Sequence, residues 1–122
     1  MTSDPASVDE FFAGHPDGAA VAARVLATVD ALGTHTVRVT KSQVALRRRR
    51  GFAWLWRPGQ YLRSEVPVVL SVALPHRDPS PRWKEVVRPS PRAWMHHLEL
   101  GSPDEVDDEV RAWLRTAYDA AG

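Results

Sequence analysis

Apolar residues recur at helical spacing near both ends of the chain. The first stretch runs from Asp17, which is suited to cap a helix, to Gly33, which is suited to end one. Its apolar positions lie three or four residues apart, at Val21, Val25, Val29 and Leu32. The last stretch follows Ser102, where Ser-Pro-Asp-Glu has the spacing of a capping box, and keeps the same intervals up to Ala121. We therefore predict a helix near each end, with a shorter turn started by Ser7 ahead of the first.

Short runs rich in β-forming residues fill the middle of the chain. They cover residues 36–40, 42–50, 52–56, 66–74, 82–88 and 92–100. Phe52, Trp54 and Trp56 alternate with smaller apolar residues, so we expect the three aromatic side chains on one face. Because no helix separates the strands, an antiparallel sheet is favoured. The predicted fold is an α+β two-layer sandwich: an antiparallel sheet of about five strands, with N- and C-terminal helices packed on one face.

The composition narrows the class of protein. The 122 residues, 43% of them apolar, fit a single domain over residues 1–122. With no cysteine, these residues contain no disulfide, thiolate zinc site or cysteine nucleophile. The apolar run 66–75 is the length of a strand rather than of a membrane span, and the acidic N-terminus lacks the features of a secretory signal. We expect a cytoplasmic protein with no membrane partner and no cofactor.

The formal net charge of +1 conceals a basic middle between two acidic ends. Residues 38–92 carry thirteen basic and three acidic side chains, a net +10, whereas residues 1–37 and 93–122 carry −4 and −5. Two interpretations stay open: the basic strands bind an anionic partner, or the acidic helices neutralise them. Of the four arginines 47–50, alternate members point to opposite faces of a strand, so only one pair can face the open side.

Several segments together resemble a known family. They are residues 7–12 (SVDEFF) with 14–16 (GHP), 41–54 (KSQVALRRRRGFAW), 78–87 (DPSPRWKEVV), 94–100 (WMHHLEL), and 107–114 (DDEVRAWL) with 117–118 (AY). The chain resembles, over about residues 7–118, a bacterial and archaeal family known as a domain of unknown function, number 5655 in that series. Its members resemble the tail region of some predicted transport proteins. The resemblance implies no established chemistry, so the function is argued from the residues.

The leading functional hypothesis is a non-enzymatic binding module whose basic and aromatic sheet surface holds an anionic ligand. The ligand class is a nucleotide, a nucleic acid or a phosphorylated small molecule, because guanidinium groups bind phosphate oxygens and indole rings stack on bases. His97 and Glu99 are expected to orient the site. The candidate ligand-binding residues are Lys41, Arg47, Arg49, Trp54, Arg57, Arg82, Lys84 and His97, with Trp83 as a second stacking candidate.

Two other functions fit the same residues. His97 and Glu99 project to one face of a strand, so they are candidates for a general base with its orienting carboxylate, or for two metal ligands of an enzyme. No standard metal-binding spacing or catalytic motif supports either, and histidines that simply fill a half-buried strand are the structural alternative. The third function is an interaction domain for an acidic protein partner.

Overall fold

The computed structural model describes residues 4–122 and contains a six-stranded antiparallel sheet with helices on one face. The strands lie in the order β1-β2-β3-β4-β6-β5. In chain order the elements are α1 (Val8–Phe11), α2 (Pro16–Leu32), β1 (Thr36–Val39), β2 (Val44–Arg47), β3 (Gly51–Trp56), β4 (Val68–Leu74), β5 (Glu85–Ser90), β6 (Ala93–Leu100) and α3 (Asp108–Ala120), with 3-10 turns at Pro58–Gln60 and Pro103–Glu105.

The predicted α+β sandwich is confirmed, with six strands rather than about five. The six strands correspond to the six β-rich runs of the sequence, and β2 and β3 are separated by only three residues. The chain bends at residues 48–50, so this basic and aromatic segment forms a hairpin of two strands.

The helix ends follow local chemistry, with two shifts from the sequence prediction. α2 begins at Pro16 rather than after Asp17. Proline fits the first position of a helix, because the backbone N–H that it lacks would have no partner within the helix there. Ser102 forms the predicted capping box, but this box starts only a 3-10 turn; α3 starts after Asp107, whose side chain accepts the Val110 N–H. None of the helices in residues 4–122 is long and apolar enough to cross a bilayer.

The core lies between α2, α3 and one face of the sheet. The helices contribute Val21, Val25, Val29, Val110 and Leu114, and the strands contribute Val44, Leu46, Leu55, Leu70, Val72, Leu98 and Leu100. Trp113 and Tyr118 of α3 are buried in this core. The side chains that alternate with the core residues form the opposite face of the sheet. We call this surface, centred on Ala45, Trp54, Trp56, Ser71, Met95 and His97, the open face.

The pairing of β2 with β3 is shifted at Phe52. Leu46 pairs with Ala53 but Arg47 pairs with Gly51, so Phe52 is the extra residue of a β-bulge. Its ring is fully buried on the helical side, where it meets Tyr118 edge to face at a centroid distance of 5.6 Å. The expectation that Phe52 shares a face with Trp54 and Trp56 is therefore wrong, because the bulge reverses the alternation at this residue.

Candidate ligand site on the open face of the sheet

A row of paired residues crosses the open face from one edge of the sheet to the other. Residues directly opposed in antiparallel strands point to the same side, so these side chains are neighbours. In strand order the row is Arg38, Ala45, Trp54, Ser71, His97 and Glu85. The row thus places an indole, a hydroxyl and an imidazole between an arginine at one edge and a carboxylate at the other.

A chain of hydrogen bonds joins three strands at the centre of this face. The indole Nε1–H of Trp56 donates to Ser71 Oγ at 3.0 Å. The same Oγ lies 2.7 Å from His97 Nδ1, which is a short hydrogen bond. Ser71 is only 4% exposed, so Trp56 and His97 satisfy a hydroxyl that is buried in the sheet.

Two adjoining grooves share Trp56 and His97 as their common wall. The aromatic groove, of about 250 Å³, is otherwise lined by Gln43, Trp54, Ser71 and Met95. The charged groove, of about 380 Å³, runs between the segment after β3 and the β6–β5 edge. Its charged lining residues are Arg63, Lys84, Glu85 and Glu99.

The charges around His97 are partly paired. Lys84 Nζ lies 3.1 Å from Glu99 Oε2, so Glu99 is engaged by Lys84 while the imidazole Nδ1 is engaged by Ser71. Burial lowers the pKa of His97 below its usual value, and the carboxylate of Glu85 opposes part of this effect. Its surroundings therefore favour the neutral form of His97.

The sequence matches the family described as "Domain of unknown function (DUF5655)" over residues 8–121. The chain belongs to the DUF5655 family. The match runs from α1 to the end of α3, so the open face and both grooves lie inside the family domain. Comparison with curated proteins and with solved structures finds no match.

Four of the predicted site residues meet on the open face of the DUF5655 domain. His97 and Lys84 line the charged groove, and Trp54 lines the aromatic groove. Arg47 lies beside Trp54: a Cβ atom placed at Gly51 would lie 2.7 Å from the Trp54 ring and 3.4 Å from Arg47 Nη1. The absence of a side chain at Gly51 therefore allows the indole to fold over the backbone next to this guanidinium.

Arg82 and Trp83 lie against α3, outside the open face. Arg82 Nη1 lies 3.0 Å from a carboxylate oxygen of Asp107 and 2.8 Å from Glu109 Oε1. Trp83 is 8% exposed and stacks on Trp113 with a centroid distance of 4.0 Å. Trp83 is thus a core residue rather than a stacking platform for a ligand, and Arg82 is neutralised by the acidic start of α3.

Three other predicted basic residues lie apart from both grooves. Lys41 is exposed in the turn between β1 and β2. The backbone N–H of Arg49 donates to the Ala121 carbonyl at 3.0 Å, beside the end of α3. The guanidinium of Arg57 lies 5.5 Å from the Phe11 ring centroid and lines a cleft at the start of α2. The basic middle therefore does not form a single surface.

His96, the neighbour of His97, has a structural position. Its Nδ1 lies 2.9 Å from the Trp94 carbonyl, and its Nε2 accepts the Asp78 N–H at 2.9 Å. The side chain is fully buried. Within residues 4–122, no group of three or more histidine, aspartate and glutamate side chains is arranged to hold a metal ion.

The sequence analysis missed Ser71, as well as Gln43, Arg63 and Met95 of the two grooves. Ser71 is the one of these that carried a signal. It is the only polar residue in the otherwise apolar strand Val68–Leu74. A hydroxyl in such a strand needs a partner when it is buried, which is a signal for a polar neighbour across the sheet. That neighbour, His97, is 26 residues away along the chain, so the sequence alone could not identify it.

Proposed function

We propose that the open face of this DUF5655 domain is a non-enzymatic binding site for a small ligand that carries a planar ring and an anionic group, as nucleotides do. The observation that carries the proposal is the common wall of Trp56 and His97 between an aromatic and a charged groove. Adjoining grooves of different character suit a ligand with two parts of different chemistry.

The aromatic groove suits the ring. Trp54 is half-buried and presents an indole on the open face, next to the flexible Met95. Stacking of a base on such a side chain contributes about 1–3 kcal/mol. The amide of Gln43 supplies both a donor and an acceptor to the edge of a heterocycle.

The charged groove suits the anion. Arg63 makes no side-chain hydrogen bond or ion pair within residues 4–122, so its guanidinium is available to phosphate oxygens. Lys84 is held by Glu99 at 3.1 Å, and an incoming anion can share its ammonium group. Glu85 disfavours an anion close to β5, which places the phosphate nearer to Arg63.

Calorimetric titration with adenosine 5′-monophosphate, adenosine and inorganic phosphate tests both halves of the site. We expect the monophosphate to bind most tightly and its affinity to fall with added salt. Trp54→Leu is expected to weaken the binding of adenosine 5′-monophosphate and of adenosine about tenfold. The double variant Arg63→Gln with Lys84→Gln is expected to weaken the binding of adenosine 5′-monophosphate and inorganic phosphate, and to leave the binding of adenosine unchanged.

Arg24→Gln is the matched control, because Arg24 is exposed on α2 and therefore lies on the helical side. Its affinities should equal those of the unmodified protein. The proposal is overturned if none of the probes binds at millimolar concentration, or if the site variants bind as the control does.

A second candidate function is an acid/base enzyme, and the 2.7 Å contact between Ser71 and His97 is the observation that favours it. The burial of Ser71 and the donation from Trp56 to its oxygen reduce its value as a nucleophile. Hydrolysis of p-nitrophenyl acetate and p-nitrophenyl phosphate, lost in His97→Gln, would favour the enzyme over the binding module.

A further inference from the structure

The hydrogen bonds of Ser71 decide which nitrogen of His97 carries a proton. The hydroxyl has one hydrogen, and its oxygen already accepts the indole N–H of Trp56 at 3.0 Å. If His97 Nδ1 also donated to this oxygen, the hydroxyl hydrogen of Ser71 would be buried without an acceptor, because no other partner of Oγ lies within residues 4–122. An unpaired buried donor is costly.

The alternative arrangement satisfies every group. The Ser71 hydroxyl donates to the lone pair of His97 Nδ1 at 2.7 Å, and the imidazole proton is then on Nε2. Nε2 makes no hydrogen bond within residues 4–122, and His97 lines both grooves. The neutral imidazole therefore offers an N–H group, and not a lone pair, to a ligand.

We infer that Ser71 is a specificity-determining residue of the proposed ligand site: it holds neutral His97 as an Nε2–H donor, so that the site selects a ligand with an acceptor group, a phosphate or carboxylate oxygen, at this position. This inference rests on the proposed function. It also argues against His97 as a general base that acts directly on a ligand in the grooves, because such a base needs a lone pair directed at its substrate.

The neighbouring charges agree with an acceptor group of the ligand at His97. Lys84 and Arg63 line the same groove, and their positive charges favour an anionic oxygen. Glu85 and Glu99 are the acidic groups of this groove, of which Glu99 is paired with Lys84. The ring of His96 lies on the other face of the sheet, in the core.

The ¹⁵N and ¹H NMR signals of the imidazole in the ligand-free protein at pH 8 test the tautomer directly. We expect a protonated Nε2 and an unprotonated Nδ1 for His97. A protonated Nδ1 would overturn the inference. This measurement needs no substitution and no ligand, so it stands even if a variant fails to fold.

Substitutions then test the role of Ser71. Ser71→Ala is expected to give a mixture of tautomers and to weaken binding of inorganic phosphate and adenosine 5′-monophosphate about 2- to 10-fold, with adenosine unchanged. Ser71→Thr keeps the hydroxyl and is expected to restore both readouts. Ser42→Ala, at an exposed serine, is the control.

The outcomes distinguish the two proposals. If the unmodified protein binds none of these probes, the proposed function fails together with the acceptor selectivity, whatever the tautomer. If phosphate binds equally well to the unmodified protein and to Ser71→Ala, the role of Ser71 is refuted and the ligand site stands.

Discussion

At the scale of single residues, two adjacent histidines of β6 have opposite environments. His96 points into the core, where Asp78 donates to its Nε2 and its Nδ1–H donates to the Trp94 carbonyl. His97 points to the open face and contacts Ser71. Burial lowers the pKa of both histidines. The pleat of one strand thus separates a structural histidine from a candidate binding residue.

These pKa shifts predict how stability depends on pH. Both histidines have a pKa in the folded protein below the unfolded value of 6.5. On acidification the unfolded chain therefore binds protons first, and the free energy of unfolding should be constant above about pH 7.5 and fall as the pH drops through 6.5. Urea unfolding between pH 8 and 5 measures this.

His96→Gln is expected to remove part of that pH dependence, whereas His76→Gln, at an exposed histidine of the β4–β5 connection, should leave the slope unchanged. A free energy of unfolding that stays level from pH 8 to 5 would show that the histidines are not held neutral by the fold. Asp78 and Asp107 have pKa values lowered below 3.8, so they affect the free energy of unfolding only at more acidic pH.

At the scale of elements, the bulge in β3 decides which aromatic side chains lie on the open face. Phe52 is directed into the core, and Trp54 and Trp56 remain on the open face. Without the extra residue, the ring of Phe52 would lie on the open face and its place beside Tyr118 would be vacant.

Substitution of the two rings distinguishes these positions. Phe52→Ala should lower the free energy of unfolding by about 3–5 kcal/mol, because it leaves a cavity in the core. Trp54→Ala should cost less, since Trp54 is half-buried on the face without a helix. If urea denaturation shows that both substitutions lower the free energy of unfolding by the same amount, the two rings are equally buried and this prediction is wrong.

At the scale of the whole molecule, the basic middle and the acidic C-terminal segment meet at both ends of α3. Arg82 binds carboxylates at its start. Arg48 Nη1 donates to the Tyr118 carbonyl at 3.0 Å and Arg50 Nη2 to the Ala120 carbonyl at 2.5 Å, where the helix dipole favours a cation. Contacts with α3 therefore account for these three arginines, whereas Arg38 and Arg47 lie on the open face and Arg63 and Lys84 line its charged groove.

Removal of the arginines at the end of α3 should loosen that helix. Arg48→Ala with Arg50→Ala is expected to lower the free energy of unfolding by about 1–2 kcal/mol and to speed amide hydrogen exchange in the last turn of α3. Arg24→Ala, on the exposed side of α2, is the control. Unchanged exchange rates in the double variant would mean that these contacts do not hold the helix end.

The residues by themselves determined the class of fold and the main elements of this DUF5655 domain. Helical spacing with capping residues, strand-sized apolar runs and the lack of helices between strands depend on neighbours along the chain, so they can be derived from it. The same local patterns placed Trp54, Lys84 and His97 among the candidates, since each has a side chain suited to bind a ligand.

Only the tertiary structure decided which candidates lie close together. The bulge at Phe52 depends on how β2 pairs with β3. The contact between Ser71 and His97 forms because β6, and not β5, is the strand that pairs with β4. Tertiary contacts also joined Glu99 to Lys84 and Arg82 to the start of α3. Such contacts join residues that are far apart in the chain, and their energy depends on packing and burial that no local pattern contains.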